Sequence, residues 1–174
     1  MSLTKINADV MDMSDAYTFT GAVSGASTIL QIVNVQTGAM ATGTTVTPFD
    51  DTIPQNDEGN EIMTLAVTPT SATSRLKIDV NAVVQHTALT NGNISLYQDS
   101  TAGALASVNE TYSANNPFTI NFSHNMVAGT TSETTFKVRF GGNASGTMTF
   151  NGRLGARKYG GVFASSITIT EYTP

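Results

Sequence analysis

The sequence predicts an all-β protein, an antiparallel β-sandwich or jelly roll of about eight strands with a short N-terminal arm, and three observations predict it. From Ser27 onward apolar residues recur at every second position, the spacing that places alternate side chains on one face of a half-buried strand. Clusters of Gly, Asn, Pro, Asp and Ser separate these runs, as turns require. No long interior segment carries a 3.6-residue apolar period, so the crossover helices that a parallel sheet needs are absent from the pattern. A length of 174 residues suits one ordinary domain.

Residues 1–27 stand apart as an arm and linker. Leu3, Ile6, Val10, Met13 and Tyr17 follow a 3-4-3-4 spacing, which lines one stripe of a helix over about two heptads. Asp9, Asp12 and Asp15 lower its helical propensity. Thr18 to Gly25 reads as a short extended piece in a small-residue linker. The stripe suits an arm that oligomerises or docks on another protein; a frayed terminus is the alternative.

Residues 28–174 form the head. Its clearest strand alternates Leu76, Ile78, Val80, Ala82 and Val84 with Arg75, Lys77, Asp79 and Asn81. One of its faces is wet, which is the mark of an antiparallel sheet. The same two-beat pattern runs through Ile29 with Val33 and Val35, Met63 to Val67, Ile94 to Leu96, Phe118 to Phe122, Phe136 to Phe140, Met148 to Phe150, and Ile167 to Ile169. Turns are expected at Asn91-Gly92-Asn93, Gly141-Gly142-Asn143 and Asn151-Gly152. The expected core is Leu76, Ile78, Val80, Phe118, Phe122, Phe136, Phe140 and Phe150.

Composition narrows function. Ser, Thr, Asn and Gly make up roughly 40% of the chain and charged residues 12%, so uncharged polar groups carry its solubility. A net charge of -5 provides no basic field for nucleic acid or an anionic membrane surface. The N-terminus lacks the apolar core of a signal peptide and no stretch is long and apolar enough to span a bilayer. Synthesis in a cytoplasm, with release by lysis of a host, is the simplest route to any extracellular role. Without cysteine there is no disulfide, zinc-thiolate or thiol nucleophile.

No catalytic, cofactor or metal residue can be nominated. His86 and His124 read as strand-end residues, and HExxH, GxSxG, P-loop and GxGxxG signatures are missing. The acidic stretch Asp50 to Glu61 lacks the alternating ligands of an EF-hand loop and reads as a solvated connection. Its bunched acids form no pair for glycoside hydrolysis. Asn-x-Ser/Thr triplets at Asn93, Asn109, Asn121 and Asn143 follow from composition. The basic cluster is Arg153, Arg157 and Lys158, beside Tyr159 in a glycine-rich loop before the final strand. That loop is the candidate surface contact, for acidic sugars or a neighbouring subunit's carboxylates; a solvated hairpin is the plainer reading.

Three segments together resemble a family of bacteriophage virion proteins that occur as tail-fibre, head-fibre and related appendage domains. They are Ile29 to Gly38, Asp50 to Gly59, and Ile62 to Ile78; Tyr17 to Gly25 is similar to a stretch that precedes such domains. The resemblance covers the first half well and the second half in texture only. It implies a trimeric jelly-roll head akin to tumour-necrosis-factor and complement globular heads, and it names no active residue. The expectation is a non-enzymatic virion structural protein: a homotrimeric fibre or appendage head, attached by Leu3, Ile6, Val10, Met13 and Tyr17 to capsid, neck or tail proteins. Its contact loop, Arg153, Arg157, Lys158 and Tyr159, would meet a host receptor or glycan. The short segment ahead of the head keeps a capsid decoration protein in contention. A monomeric carbohydrate-binding module or adhesin is the other alternative, with Tyr97, Tyr112 and Tyr159 as its candidate stacking residues.

Overall fold

The computed structural model describes residues 27–88 and 90–174. The stripe Leu3, Ile6, Val10, Met13 and Tyr17 lies outside the described residues. Strands form in the order β1 Ile29–Thr37, β2 Ala41–Gly43, β3 Asn60–Val67, β4 Arg75–His86, β5 Thr90–Gln98, β6 Ala106–Tyr112, β7 Phe118–Val127, β8 Thr134–Gly142, β9 Met148–Phe150, β10 Gly152–Arg153, β11 Ala156–Arg157 and β12 Ser165–Tyr172. All pairings are antiparallel.

One sheet runs β1-β12-β4-β7, and the other β3-β8-β5-β6. If only these eight long strands are counted in chain order, the sheets read 1-8-3-6 and 2-7-4-5. Each sheet interleaves strands from both halves of the chain, which is jelly-roll wiring. The fold is therefore the antiparallel sandwich that the period-two pattern predicts.

The pattern works because the two inner faces supply the core. Leu76, Ile78, Val80, Ala82 and Val84 of β4 stand beside Ile167 and Ile169 of β12. Across the sandwich they meet Met63, Leu65, Val67, Ile94, Leu96, Phe136, Val138 and Phe140. Each buried Val, Leu, Ile, Met or Phe side chain among them contributes about 1.5–3 kcal/mol of transfer free energy. Phe118 and Phe122 depart from the expected full burial: they are only partly covered, because β7 pairs with β4 alone and forms the edge of its sheet. The Phe118 ring still reaches the Phe140 ring, centroid to centroid 6.1 Å.

One expected turn is strand instead, for a physical reason, and one strand carries no alternation in the sequence. Asn91, Gly92 and Asn93 lie inside β5, where β6 pairs one edge and β8 the other; ladder hydrogen bonds on both sides override the turn chemistry. Strand β6, Ala-Ser-Val-Asn-Glu-Thr-Tyr, shows no alternation and is an edge strand that packs mainly through Ala106 and Val108.

Two buried polar groups hold the connections to the sheets. The Glu171 side chain is fully buried at the end of β12, on the inner face. It accepts hydrogen bonds from the Thr70 amide (2.9 Å), the Thr70 hydroxyl (2.9 Å), Ser74 Oγ and Gln31 Nε2. It thus ties β1, the β3–β4 turn and β12 together. Burial alone pushes its carboxyl up, but the Ser74, Gln31 and Thr70 bonds outweigh it and hold the pKa down to about 2.

The second group fills a break in a ladder. One edge of β4 pairs with β12 as far as Asn81 and with β9 from Val84. Between them the Val83 amide donates to Ser165 Oγ (2.8 Å), and the Val83 carbonyl accepts from the Asn151 amide (3.0 Å). Ser165 Oγ donates in turn to Asn151 Oδ1 (2.6 Å), and Asn151 Nδ2 donates to the carbonyls of Thr37 (2.8 Å) and Ala39 (3.2 Å). Asn151 has a φ of 51°, a left-handed conformation that Asn tolerates better than most residues.

Because the folded Glu171 pKa is depressed, its stabilisation is present above the unfolded value, 4.5, and disappears as pH falls toward about 2. Glu171→Gln is expected to cost about 2 to 3 kcal/mol at neutral pH and to flatten the acid limb of the stability profile. Urea midpoints of both proteins across that range check this. Ser165→Ala should lower stability by about 1 to 3 kcal/mol with an unchanged m-value, since it strands the buried Val83 amide.

Candidate functional site

The basic loop is built on the Asn151 anchor. Immediately after it, β10 and β11 form a hairpin, Gly152 against Arg157 and Arg153 against Ala156. Leu154 (φ 52°) and Gly155 (φ 69°) both take left-handed conformations, as a two-residue type I′ turn demands. The turn therefore sits at Leu154-Gly155, three residues beyond the expected Asn151-Gly152. The Leu154 amide donates to Gln85 Oε1 (2.9 Å) and the Gly155 amide to Thr149 Oγ1 (3.0 Å). The hairpin thus lies on the outer face of the β4 and β9 ends and buries Gln85 and Thr149 completely.

Beyond the hairpin a 3-10 turn spans Tyr159–Gly161, with three successive positive φ values: Tyr159 46°, Gly160 65° and Gly161 99°. It rests on the link between β1 and β2 so closely that a Cβ on Gly38 would come within 1.8 Å of the Gly161 carbonyl oxygen. Glycine is required at Gly38 for that approach.

This backbone projects side chains that the core does not use. Tyr159 is 78% exposed, Val162 83% and Leu154 55%. The Tyr159 ring meets Phe163 edge-on, with centroids 5.6 Å apart and planes at 85°. Arg153 reaches the β6–β7 connection, where its Nε donates to the Asn115 carbonyl (2.8 Å). Together Asn116, Pro117, Arg153, Lys158, Tyr159 and Phe163 wall a cleft of about 610 Å³. Arg157 lies outside it, against Gly161. Among the described residues the ion pairs are Lys77 with Asp79 and Arg139 with Glu61, so no described carboxylate pairs with Arg153, Arg157 or Lys158. Of the four expected contact residues, three share one cleft; Phe163, Asn116 and Pro117 escaped sequence reading because they come from a different element or carry no charge.

The other candidates resolve into structure. His86 is buried and its Nδ1 accepts the Ala88 amide (3.2 Å); burial pushes its pKa down. His124 faces inward opposite Ile78, and partial burial lowers its pKa too. In the acidic stretch, Asp50 accepts the Thr52 hydroxyl and amide, which hold its carboxyl low. Arg139 clamps the carbonyls of Glu58 and Gly59 (2.8 Å each), and the Tyr97 hydroxyl donates to the Gln55 carbonyl (2.9 Å). The stretch therefore folds over the second sheet and buries Tyr97, which removes that ring as a stacking surface. The Tyr112 side chain lies outside the described residues. Among the described residues no group of three or more His, Asp or Glu is gathered as for a metal ion. A depression of about 330 Å³ on the outer face of the first sheet is walled by Asn81, Asn121, Ser123, Ser166 and Thr168. Its acid, Asp79, is already paired with Lys77 (2.9 Å) and Ser123.

The turn carries a measurable strain. Leu154 is exposed and left-handed, a conformation costing about 1 kcal/mol more for Leu than for Asn. Leu154→Asn is accordingly expected to raise stability by about 0.5 to 1 kcal/mol, read as a higher denaturant midpoint.

Comparison with known proteins places the chain. No curated protein matches the sequence. Among solved structures, the Eiger TNF from S. frugiperda is 8% identical, over 80% of this chain and 92% of that one, with a TM-score of 0.45. The C-terminal domain of the sugar-binding protein EclA is 12% identical over 85% and 94%, with a TM-score of 0.37. A structure of infectious bursal disease virus Gx strain is 14% identical over 82% and 36%, with a TM-score of 0.38. These likenesses are too distant to assign a role. A family model described as the Pgp3 C-terminal domain matches residues 34–174, nearly the whole head; the chain belongs to the Pgp3 C-terminal domain family.

Proposed function

We propose that the chain is a non-enzymatic structural protein of a bacteriophage virion, in which residues 28–174 form one head of a homotrimeric fibre or appendage. Residues 1–27 attach the head to the particle, and the loop from Arg153 to Phe163 meets the host surface. Particles assembled in the host cytoplasm and freed by lysis would carry it outward. The observation that supports this reading best is the loop itself. An otherwise charge-poor protein holds three cations that pair with no carboxylate among the described residues, and an exposed aromatic ring, on a strained, well-anchored backbone, and strain of this kind concentrates where side chains act on something else.

Assembly is supported by the edge strand β1. Ile29 is 60% exposed and Ile32 58%, beside Leu30, directly after the arm. An exposed apolar edge is an aggregation hazard unless another chain or segment covers it. Trimeric heads repeated over a particle would convert weak loop contacts into firm attachment, because linked sites raise the effective concentration of the second contact.

Light scattering on dilute protein should give a mass near three times 18.2 kDa. A clean monomer would overturn the trimeric head in favour of a solitary binding module. A trimer that binds purified capsids through its head, without the arm, would instead identify a decoration protein.

A further inference from the structure

We propose that the cleft walled by Arg153, Lys158, Tyr159, Phe163, Asn116 and Pro117 binds an acidic saccharide, a sugar bearing a carboxylate. The proposal rests on the surface-contact reading of this loop and adds the chemical class of its ligand.

Size comes first. A cleft of about 610 Å³ falls within the range of small-molecule sites, and is far larger than a bare anion needs. Charge comes next. Arg153 and Lys158 line the cleft and, among the described residues, no Asp or Glu does, although the chain as a whole carries -5. One donor of Arg153, its Nε, is committed to the Asn115 carbonyl. That bond fixes the plane of the guanidinium and leaves its other donors for a carboxylate, which the planar fork recognises in bidentate fashion.

The walls supply the rest. Tyr159 exposes most of its ring, and the edge contact with Phe163 holds it. A rigid ring of this kind offers an apolar face to the C–H side of a pyranose, while the Asn116 amide remains available to sugar hydroxyls. Folding alone gives no reason for the ring: Tyr at a φ of 46° costs about 1 to 2 kcal/mol that Gly would avoid, and a side chain 78% exposed recovers little by packing.

Other partners fit less well. Three cations on a chain of net charge -5 cannot neutralise the run of phosphates on which nucleic-acid affinity depends. A simple anion would leave Tyr159, Phe163 and Pro117 without a role. The acidic stretch Asp50 to Glu61 of a second copy is the remaining competitor, and the test separates it.

The test is titration of the full-length protein with trigalacturonic acid, with its methyl ester and with acetate, followed by amide chemical shifts. Trigalacturonic acid should bind with a dissociation constant of about 1 mM or tighter and perturb residues around Tyr159; the ester and acetate should each bind about tenfold more weakly or worse. Tyr159→Ala and Lys158→Gln should each weaken binding by about tenfold, and Tyr159→Phe should retain it, with unfolding midpoints confirming that every variant folds. Absence of trigalacturonic acid binding, equal binding of the ester, or equal binding of acetate would overturn the proposal. So would a change in solution mass on Tyr159→Ala or Lys158→Gln, which would make the loop a contact between copies. If the protein is monomeric or fails to adsorb to cells yet binds trigalacturonic acid as described, the saccharide site stands and the virion role falls.

Discussion

A single gap in a hydrogen-bond ladder organises much of this molecule. Strand β4 pairs along one edge with β12 and then with β9, and the backbone groups of Val83 fall between the two partners. Left alone in the interior, that amide would carry a desolvation penalty of about 1–3 kcal/mol. Ser165 Oγ receives it, the Asn151 amide serves the carbonyl, and the Asn151 side chain reaches across to Thr37 and Ala39. The exit direction of the chain at Asn151 is thereby set, and with it the position of every residue in the loop that follows.

The same economy recurs wherever the fold buries polarity. With charged residues at only 12% of the chain, long ion-pair networks are unavailable and connections are held by neutral donors meeting one acceptor. Glu171 is the extreme case: hydroxyl, amide and carboxamide donors stabilise its carboxylate, with no cation among the partners named by its hydrogen bonds. Hydrogen bonds to a charged acceptor are roughly twice as strong as neutral ones, so one carboxylate ties the β3–β4 turn to β1 and β12 where Gln31 and Glu171 stand opposite each other.

Edges explain what the sandwich leaves uncovered. Strand β7 pairs on one side only, so Phe118 and Phe122 point inward yet keep partial exposure. At the other end of the same sheet β1 is also an edge, and its outward apolar residues are exposed outright. Inward parity and burial are different properties: the pleat decides the first, and the number of neighbouring strands decides the second.

The sequence by itself determined the fold class and the faces of the main strands, because a two-residue period records which side of a sheet is dry, and Leu76 to Val84 or Phe136 to Phe140 leave no other reading. The parity of Ser165, Ile167, Ile169 and Glu171 even held the sign that Glu171 faces inward, a signal its charge obscured. The basic cluster of the loop was legible too, since charge needs no folding to be counted. Only the tertiary structure decided the rest: that Asn91 to Asn93 form strand and not turn, that Tyr97 is sealed beneath the acidic stretch, and that Asn116, Pro117 and Phe163 join Arg153, Lys158 and Tyr159 around one cleft. The reason is common to all three. Each depends on which distant segments lie side by side, and alternation along a strand carries no information about its neighbours.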